Sequence, residues 1–245
     1  MALTGLDIFK MLPRTNCGEC GIPTCMAFAM KLAAKNAELS ACPYASDEAK
    51  AKIGAASRPP IRLAKIGPAD QETAVGNETV MFRHEKTFVH GTALAVAFSD
   101  EQASADLANL SAQVKDYCLE RVGERLILDL VLIDNTSGSI ETFVAAVKTV
   151  SASANRGVIL KSANPAALEA ALQVLEGQSP LIHAATSENA DVLAALAIKY
   201  KACLVAQAGN LDALAALTTK LAGLGIEDLV LEIPHENIAA AVQNN

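Results

Sequence analysis

From residue 78 onward the sequence keeps one rhythm: a short apolar run of strand length, then an Ala/Leu-rich stretch of helical period. Seven runs fit strands: ETVMFRH (78–84), ALAVAF (93–98), RLILDLVLI (125–133), GVILKSA (157–163), PLIHAAT (180–186), ACLVAQA (202–208) and DLVLEIP (228–234). Helices are predicted over 101–121, 139–150, 165–176, 187–200 and 211–224, with a short last one from Glu236. Leu107, Leu110, Val114 and Cys118 share one face of the first; Ile140, Phe143, Val144, Val147 and Val150 line the second. Apolar runs alternating with amphipathic helices mean a parallel sheet covered by helices. Seven β units in series favour a TIM-type (β/α) barrel over a flat doubly wound sheet. A full eight-unit barrel takes about 250 residues. The barrel is therefore expected to be incomplete and the chain truncated.

The beginning of the chain is different. Thr4-Gly5-Leu6-Asp7 resembles a capping box, opening a short helix with Ile8, Phe9, Met11 and Leu12 and stopping at Pro13. Thr24 can cap a second helix running from Cys25 to Lys35, and CPYASDEAKAKI turns into a third. In ASRPPIRL two consecutive prolines cannot continue a helix. The expected layout is a small, mostly helical domain over 1–58, a linker over 59–77 and the barrel over 78–245.

Four of the six cysteines fall in the first 42 residues, as C-x2-C-x4-C-x16-C on Cys17, Cys20, Cys25 and Cys42. The N-terminus lacks the basic-then-apolar layout of a signal peptide, so a cytoplasmic location is expected and disulfides are not. Thiolates are soft ligands, and a [4Fe–4S] cluster takes four of them. Three close cysteines can wrap one corner of a cube, and a fourth beyond a helix can close it. Gly18 and Gly21 follow two of the ligands and let the backbone fold tightly. Structural zinc is the other reading, but zinc ribbons pair C-x2-C with a second C-x2-C, which this sequence lacks. Cys118 and Cys203 read as small buried hydrophobes.

Charge bears on partners. Net charge is −7, which argues against nucleic acid. Residues 1–66 hold nine Lys/Arg and five Asp/Glu, and the remainder eleven and twenty-two. The first region is thus basic, suited to a net-negative cluster. No apolar run reaches the roughly 18 residues of a membrane span.

The segment TGLDIFKMLPRTNCGECGIPTCMAFAMKLAAKNAELSACPY resembles the N-terminus of the large (gamma) subunit of the corrinoid/iron–sulfur protein of the acetyl-CoA decarbonylase/synthase (carbon monoxide dehydrogenase) pathway. ETVMFRHEKTFVHGTALAV, LVLIDNTSGSIETFVAAVKTV, PLIHAATSENADVLAALAIKY and GIEDLVLEIP are similar to that family's barrel. The resemblance implies that Cys17, Cys20, Cys25 and Cys42 hold a cluster that donates electrons to corrinoid cobalt. Methyl would pass from a methylated pterin to acetyl-CoA synthase. It implies as partners a small subunit in a heterodimer, a pterin-dependent methyltransferase, and acetyl-CoA synthase/carbon monoxide dehydrogenase. The family's corrinoid-binding domain follows the barrel, and no corrinoid-binding residue is assigned here.

Two alternatives stand beside this reading. The four-cysteine segment also resembles that of the B subunit of membrane-linked Rnf complexes, a stand-alone electron-transfer module. In that family ferredoxin-type clusters accompany the segment, and this sequence has no second cysteine group. The other alternative is a pterin-binding barrel methyltransferase with a structural cluster. His84, His183, His235, Asp134, Asn135 and Ser162 fall near the C-terminal ends of the strand runs, where barrel enzymes place active sites. Neither GxGxxG nor a Walker phosphate loop is present.

Overall fold

Thr4 opens the first helix as its capping box predicts. In a computed structural model of the protein its side chain accepts from the Asp7 amide, and its own amide donates to the Asp7 carboxylate. The structure describes residues 4–34, 37, 39–57, 61–78, 80, 84–226, 228–235 and 237–244. It divides into two units, residues 1–60 and 61–245.

In the first unit α1 (Gly5–Met11) ends where Leu12 turns extended ahead of Pro13. α2 (Cys25–Ala33) is capped by Thr24, whose hydroxyl accepts from the Ala27 amide at 3.1 Å. A single 3-10 turn, Leu39–Ala41, precedes α3 (Asp47–Ser57), which Ser46 caps through the Ala49 amide. The core is small: Ile8, Leu12, Phe28, Ala29, Leu32, Ala45, Ala49 and Ile53, joined by Cys25 and Cys42.

The second unit opens with an antiparallel pair, β1 (Ala64–Ile66) and β2 (Thr73–Val75). These residues lie within the stretch expected to be linker. The apolar Ala64 and Ile66 bury themselves against the sheet, so the segment is part of the fold. The strand expected over 78–84 falls partly on residues 79 and 81–83, outside the described residues. Glu78, Val80 and His84 are not in a strand.

Six parallel strands follow: β3 (Ala95–Ser99), β6 (Leu130–Asp134), β7 (Gly157–Lys161), β8 (Leu181–Ala185), β9 (Cys203–Gln207) and β10 (Leu229–Glu232). Their helices are α4 (Ser104–Asp116), α5 (Ile140–Ala154), α6 (Pro165–Val174), α7 (Ala190–Tyr200), α8 (Leu211–Gly223) and, at the end, α9 (Ile238–Asn244). Each strand pairs with its predecessor and successor in this series. Alternate side chains go to opposite faces. Val131, Ile133, Val158, Leu160, Ile182 and Leu204 pack with Phe143, Leu168, Leu193 and Leu217 of the helices. Leu130, Ile159, Leu181, Cys203 and Val205 face the other way, onto Ala64 and Ile66. The buried helix residues thus lie on one side of the sheet. A doubly wound fold would place helices on both.

The expected strand over 125–133 is two strands. The sequence LERVGERLI turns back at Val122 and Gly123, both at positive φ (52° and 79°), as a two-residue hairpin turn requires. This makes a separate antiparallel pair, β4 (Cys118–Arg121) and β5 (Glu124–Ile127). α4 therefore ends at Asp116 rather than 121, and Cys118 is an exposed strand residue rather than part of a helix face. The architecture is α/β with a six-stranded parallel sheet. Among the described residues β3 and β10 are its edges and no closed barrel forms.

Candidate iron–sulfur site

The loop between α1 and α2 carries Cys17 and Cys20. Gly18 and Gly21 both have positive φ, 74° and 78°. The Gly21 amide donates to the Gly18 carbonyl at 2.9 Å, which closes a tight turn around Glu19 and Cys20. Asn16, also at positive φ, accepts from the Cys25 amide at 2.8 Å and ties the loop to the first turn of α2. The Tyr44 hydroxyl donates to Glu19 at 3.0 Å, so the segment after Cys42 is drawn onto the same loop. That bond, with the carboxylate charge behind it, holds the Tyr44 phenol above its usual range.

Cys25 and Cys42 are buried in one small core and Cys20 packs against it, while Cys17 is exposed. Among the described residues no three His, Cys, Asp or Glu side chains converge as ligands of a single ion would. That is not the requirement of a cubane, in which four thiolates bind separate irons. The donor set fits such a cluster: four thiols, no buried carboxylate among the described residues of this unit, and open space beside both loop glycines. The sequence singled out the cysteines but not Asn16, Glu19 or Tyr44. Only the asparagine had a signal, since Asn is one of few residues tolerating positive φ.

In the second unit the expected rim residues take different places. Asp134, Asn135 and Ser162 do lie at the C-terminal ends of β6 and β7, and His183 lies in the middle of β8. Lys161 donates to Asp134 at 2.6 Å, and Asn135 Nδ2 to Ser162 Oγ at 2.8 Å. His183 Nε2 lies 2.7 Å from Glu232. His84 sits in a turn, and His235 is exposed beyond β10. Asp100 was not anticipated. It is 3% exposed and accepts from Thr136 Oγ1, Ser137 N and Ser137 Oγ. Burial pushes its carboxyl up, but those hydrogen bonds outweigh it and hold the group below the usual range. Cys203 is buried in β9 as expected, and burial raises its thiol.

A helix-covered parallel sheet behind a four-cysteine segment defines a class of iron–sulfur α/β protein. Residues 12–44 match the family described as "Putative Fe-S cluster". Residues 64–244 match the family described as CO dehydrogenase/acetyl-CoA synthase delta subunit, and the chain belongs to that family. It is 40% identical to the corrinoid/iron–sulfur protein large subunit of Moorella thermoacetica, over 95% of this chain and 52% of that one. It is 36% identical to acetyl-CoA decarbonylase/synthase complex subunit gamma of Methanothermobacter thermautotrophicus, over 95% and 51%. With the same subunit of Methanocaldococcus jannaschii the identity is 34%, over 99% and 51%. The resemblance to the large (gamma) subunit thus holds over nearly the whole chain, which spans about half the length of these relatives. The matches support an iron–sulfur cluster in the first unit. Among the described residues no helix is long and apolar enough to cross a membrane.

Proposed function

We propose that this chain is the iron–sulfur part of a corrinoid methyl carrier, with Cys17, Cys20, Cys25 and Cys42 as ligands of a [4Fe–4S] cluster. The observation that carries the reading is the gathering of Cys20, Cys25 and Cys42 on one small core, with Cys17 in the adjoining loop. The bound cluster would supply single electrons of low potential, keeping a corrinoid cobalt able to take methyl from a methylated pterin and pass it to acetyl-CoA synthase. The chain's own residues shape the site. The Gly18–Gly21 turn sets the path of the loop that carries Cys20, and backbone N–H groups pointing at sulfur would tune the potential of a bound cluster. Asn16 occupies the Cys25 amide and fixes the loop.

On this reading the partners are a small subunit in a heterodimer, a pterin-dependent methyltransferase, and acetyl-CoA synthase/carbon monoxide dehydrogenase. Neither nucleic acid nor membrane is a partner, and the setting is the cytoplasm. The strand order and the one-sided helix layer support a TIM-type barrel for the second unit. Anaerobically purified protein should hold about four irons and four sulfides per chain, and Cys20→Ala should lose most of the iron. Stoichiometric zinc without sulfide would overturn the cluster. For the electron role, the complete carrier with any of the four cysteines replaced should fail to reactivate oxidised cobalt. It should still transfer methyl from cobalt already reduced. Normal reactivation would overturn that role.

A further inference from the structure

Counting in phase along each strand of the sheet brings up a row of polar residues. Beneath it the face opposite the helices is apolar: Leu132, Ile159, Leu181, Val205 and Val230. Two residues further along, at or near the C-terminal ends of the strands, the same face carries Asp134, Lys161, His183, Gln207 and Glu232, and β3 adds Ser99 at its end. Ser99, Asp134, Lys161 and His183 are register partners in turn, and Gln207 pairs with Glu232. Six neighbouring strands thus contribute one polar group each: Ser99, Asp134, Lys161 and His183 at one level, and Gln207 and Glu232 further along their strands, because Ile182 pairs with Leu204 and the register shifts before Ala185 pairs with Ala206.

The charges in this row are ordered. Asp134 holds Lys161 at 2.6 Å. Glu232 holds His183 at 2.7 Å and also accepts from Gln207 Nε2 at 3.1 Å. The His183–Glu232 contact reaches over β9, between strands about 10 Å apart, so these side chains lean together over the sheet. Lys161 and His183 stand side by side on adjacent strands, each backed by a carboxylate on its far side. Lys161 keeps two N–H groups beyond its bond to Asp134, and its side chain is 45% exposed. His183 Nδ1 has no hydrogen-bond partner among the described residues. Beside the row, Asn135 Oδ1 is buried and also lacks one.

Stability does not explain the arrangement, because partly buried ion pairs contribute little net and apolar packing often does as well. Position argues for a ligand. Parallel sheets bind small molecules beyond the carboxyl ends of their strands. α5, α6, α7 and α8 all begin at this end, bringing the positive ends of their dipoles to it.

We propose that the row is an oxyanion site, in which a carboxylate or phosphate group of a small molecule lies between Lys161 Nζ and His183 Nδ1. Asp134 and Glu232 are positioning residues that aim the two donors. His183 donates from Nδ1 when its ring carries both protons.

The test is nuclear magnetic resonance of the full chain with ¹⁵N-labelled histidine, titrated separately with inorganic phosphate and with acetate. His183→Gln assigns the ring signals. The expected result is a saturable shift of the His183 nitrogens to the doubly protonated signature with at least one anion. The anion that acts identifies the group as phosphate or carboxylate. Lys161→Gln, which keeps a hydrogen bond for Asp134, should weaken binding about tenfold, as for loss of one charge-assisted bond. Lys199→Met, on the outer surface of α7, should leave it unchanged. An unmoved His183 ring overturns the proposal. So does an equal response in the folded Lys161→Gln protein.

Discussion

The two units solve the problem of a core in opposite ways. The second buries alternate strand residues against helices on one face and against β1 and β2 on the other, and its apolar side chains suffice. The first has a core of about ten buried residues, two of which are cysteines. A unit of 60 residues is marginal on hydrophobic burial alone, and small domains lean on metals or disulfides. The same kind of side chain therefore means different things. Cys203 in β9 is packing, whereas Cys25 and Cys42 are packing that on the proposed reading would also hold iron.

Cys42→Ala should break the first unit with the largest effect. Hydrogen exchange should show α2 and α3 losing protection while β6 to β9 keep theirs. Equal loss in both units would show that they do not differ in this way. Phe143→Ala is the converse. Phe143 is fully buried under the sheet, and its removal should cost about 3–5 kcal/mol by chemical denaturation, with iron content unchanged. A smaller effect is expected at Gly157, where an added Cβ would lie 2.7 Å from Leu130 Cδ2 and 2.9 Å from the Ile66 carbonyl. Gly157→Ala should cost about 1–3 kcal/mol as overpacking, and β1 should exchange faster.

The smallest effect concerns Asp100, which ties the β6–α5 loop to the end of β3. Its folded carboxyl titrates below the ordinary value of 3.8. Its stabilisation is thus present above that value and lost as pH falls through the folded one. The stability gap between wild type and Asp100→Asn should shrink on acidification through this range. A gap independent of pH would show that the carboxylate charge is not what holds the loop.

The sequence made the repeating architecture legible because parallel strands carry continuous apolar runs and helices a 3.6 period. Six of seven expected strand runs contain parallel strands. What it hid was punctuation. RLILDLVLI reads as one run, yet Val122-Gly123 upstream folds its first part back on LER. Residues 64–75 read as linker because β1 and β2 are only three residues each. At the site, the cysteine spacing was legible, but the Asn16 and Tyr44 bonds depend on which segments the fold brings together. The polar row was half visible. Asp134 and His183 stood out by type, while Lys161, Gln207 and Glu232 became meaningful only once register placed them side by side.

The strand order also bears on how the molecule is made. Because each strand of the sheet pairs with the one before it, the sheet can grow as the chain leaves the ribosome. Each new strand finds its template already exposed. β1 is the exception. The Gly67 amide donates to the Ser179 carbonyl, and Cys203 Sγ to the Lys65 carbonyl. β1 pairs with β2 close by, but its seat on the sheet must wait for partners more than a hundred residues later, and that docking would mark the end of assembly rather than its start.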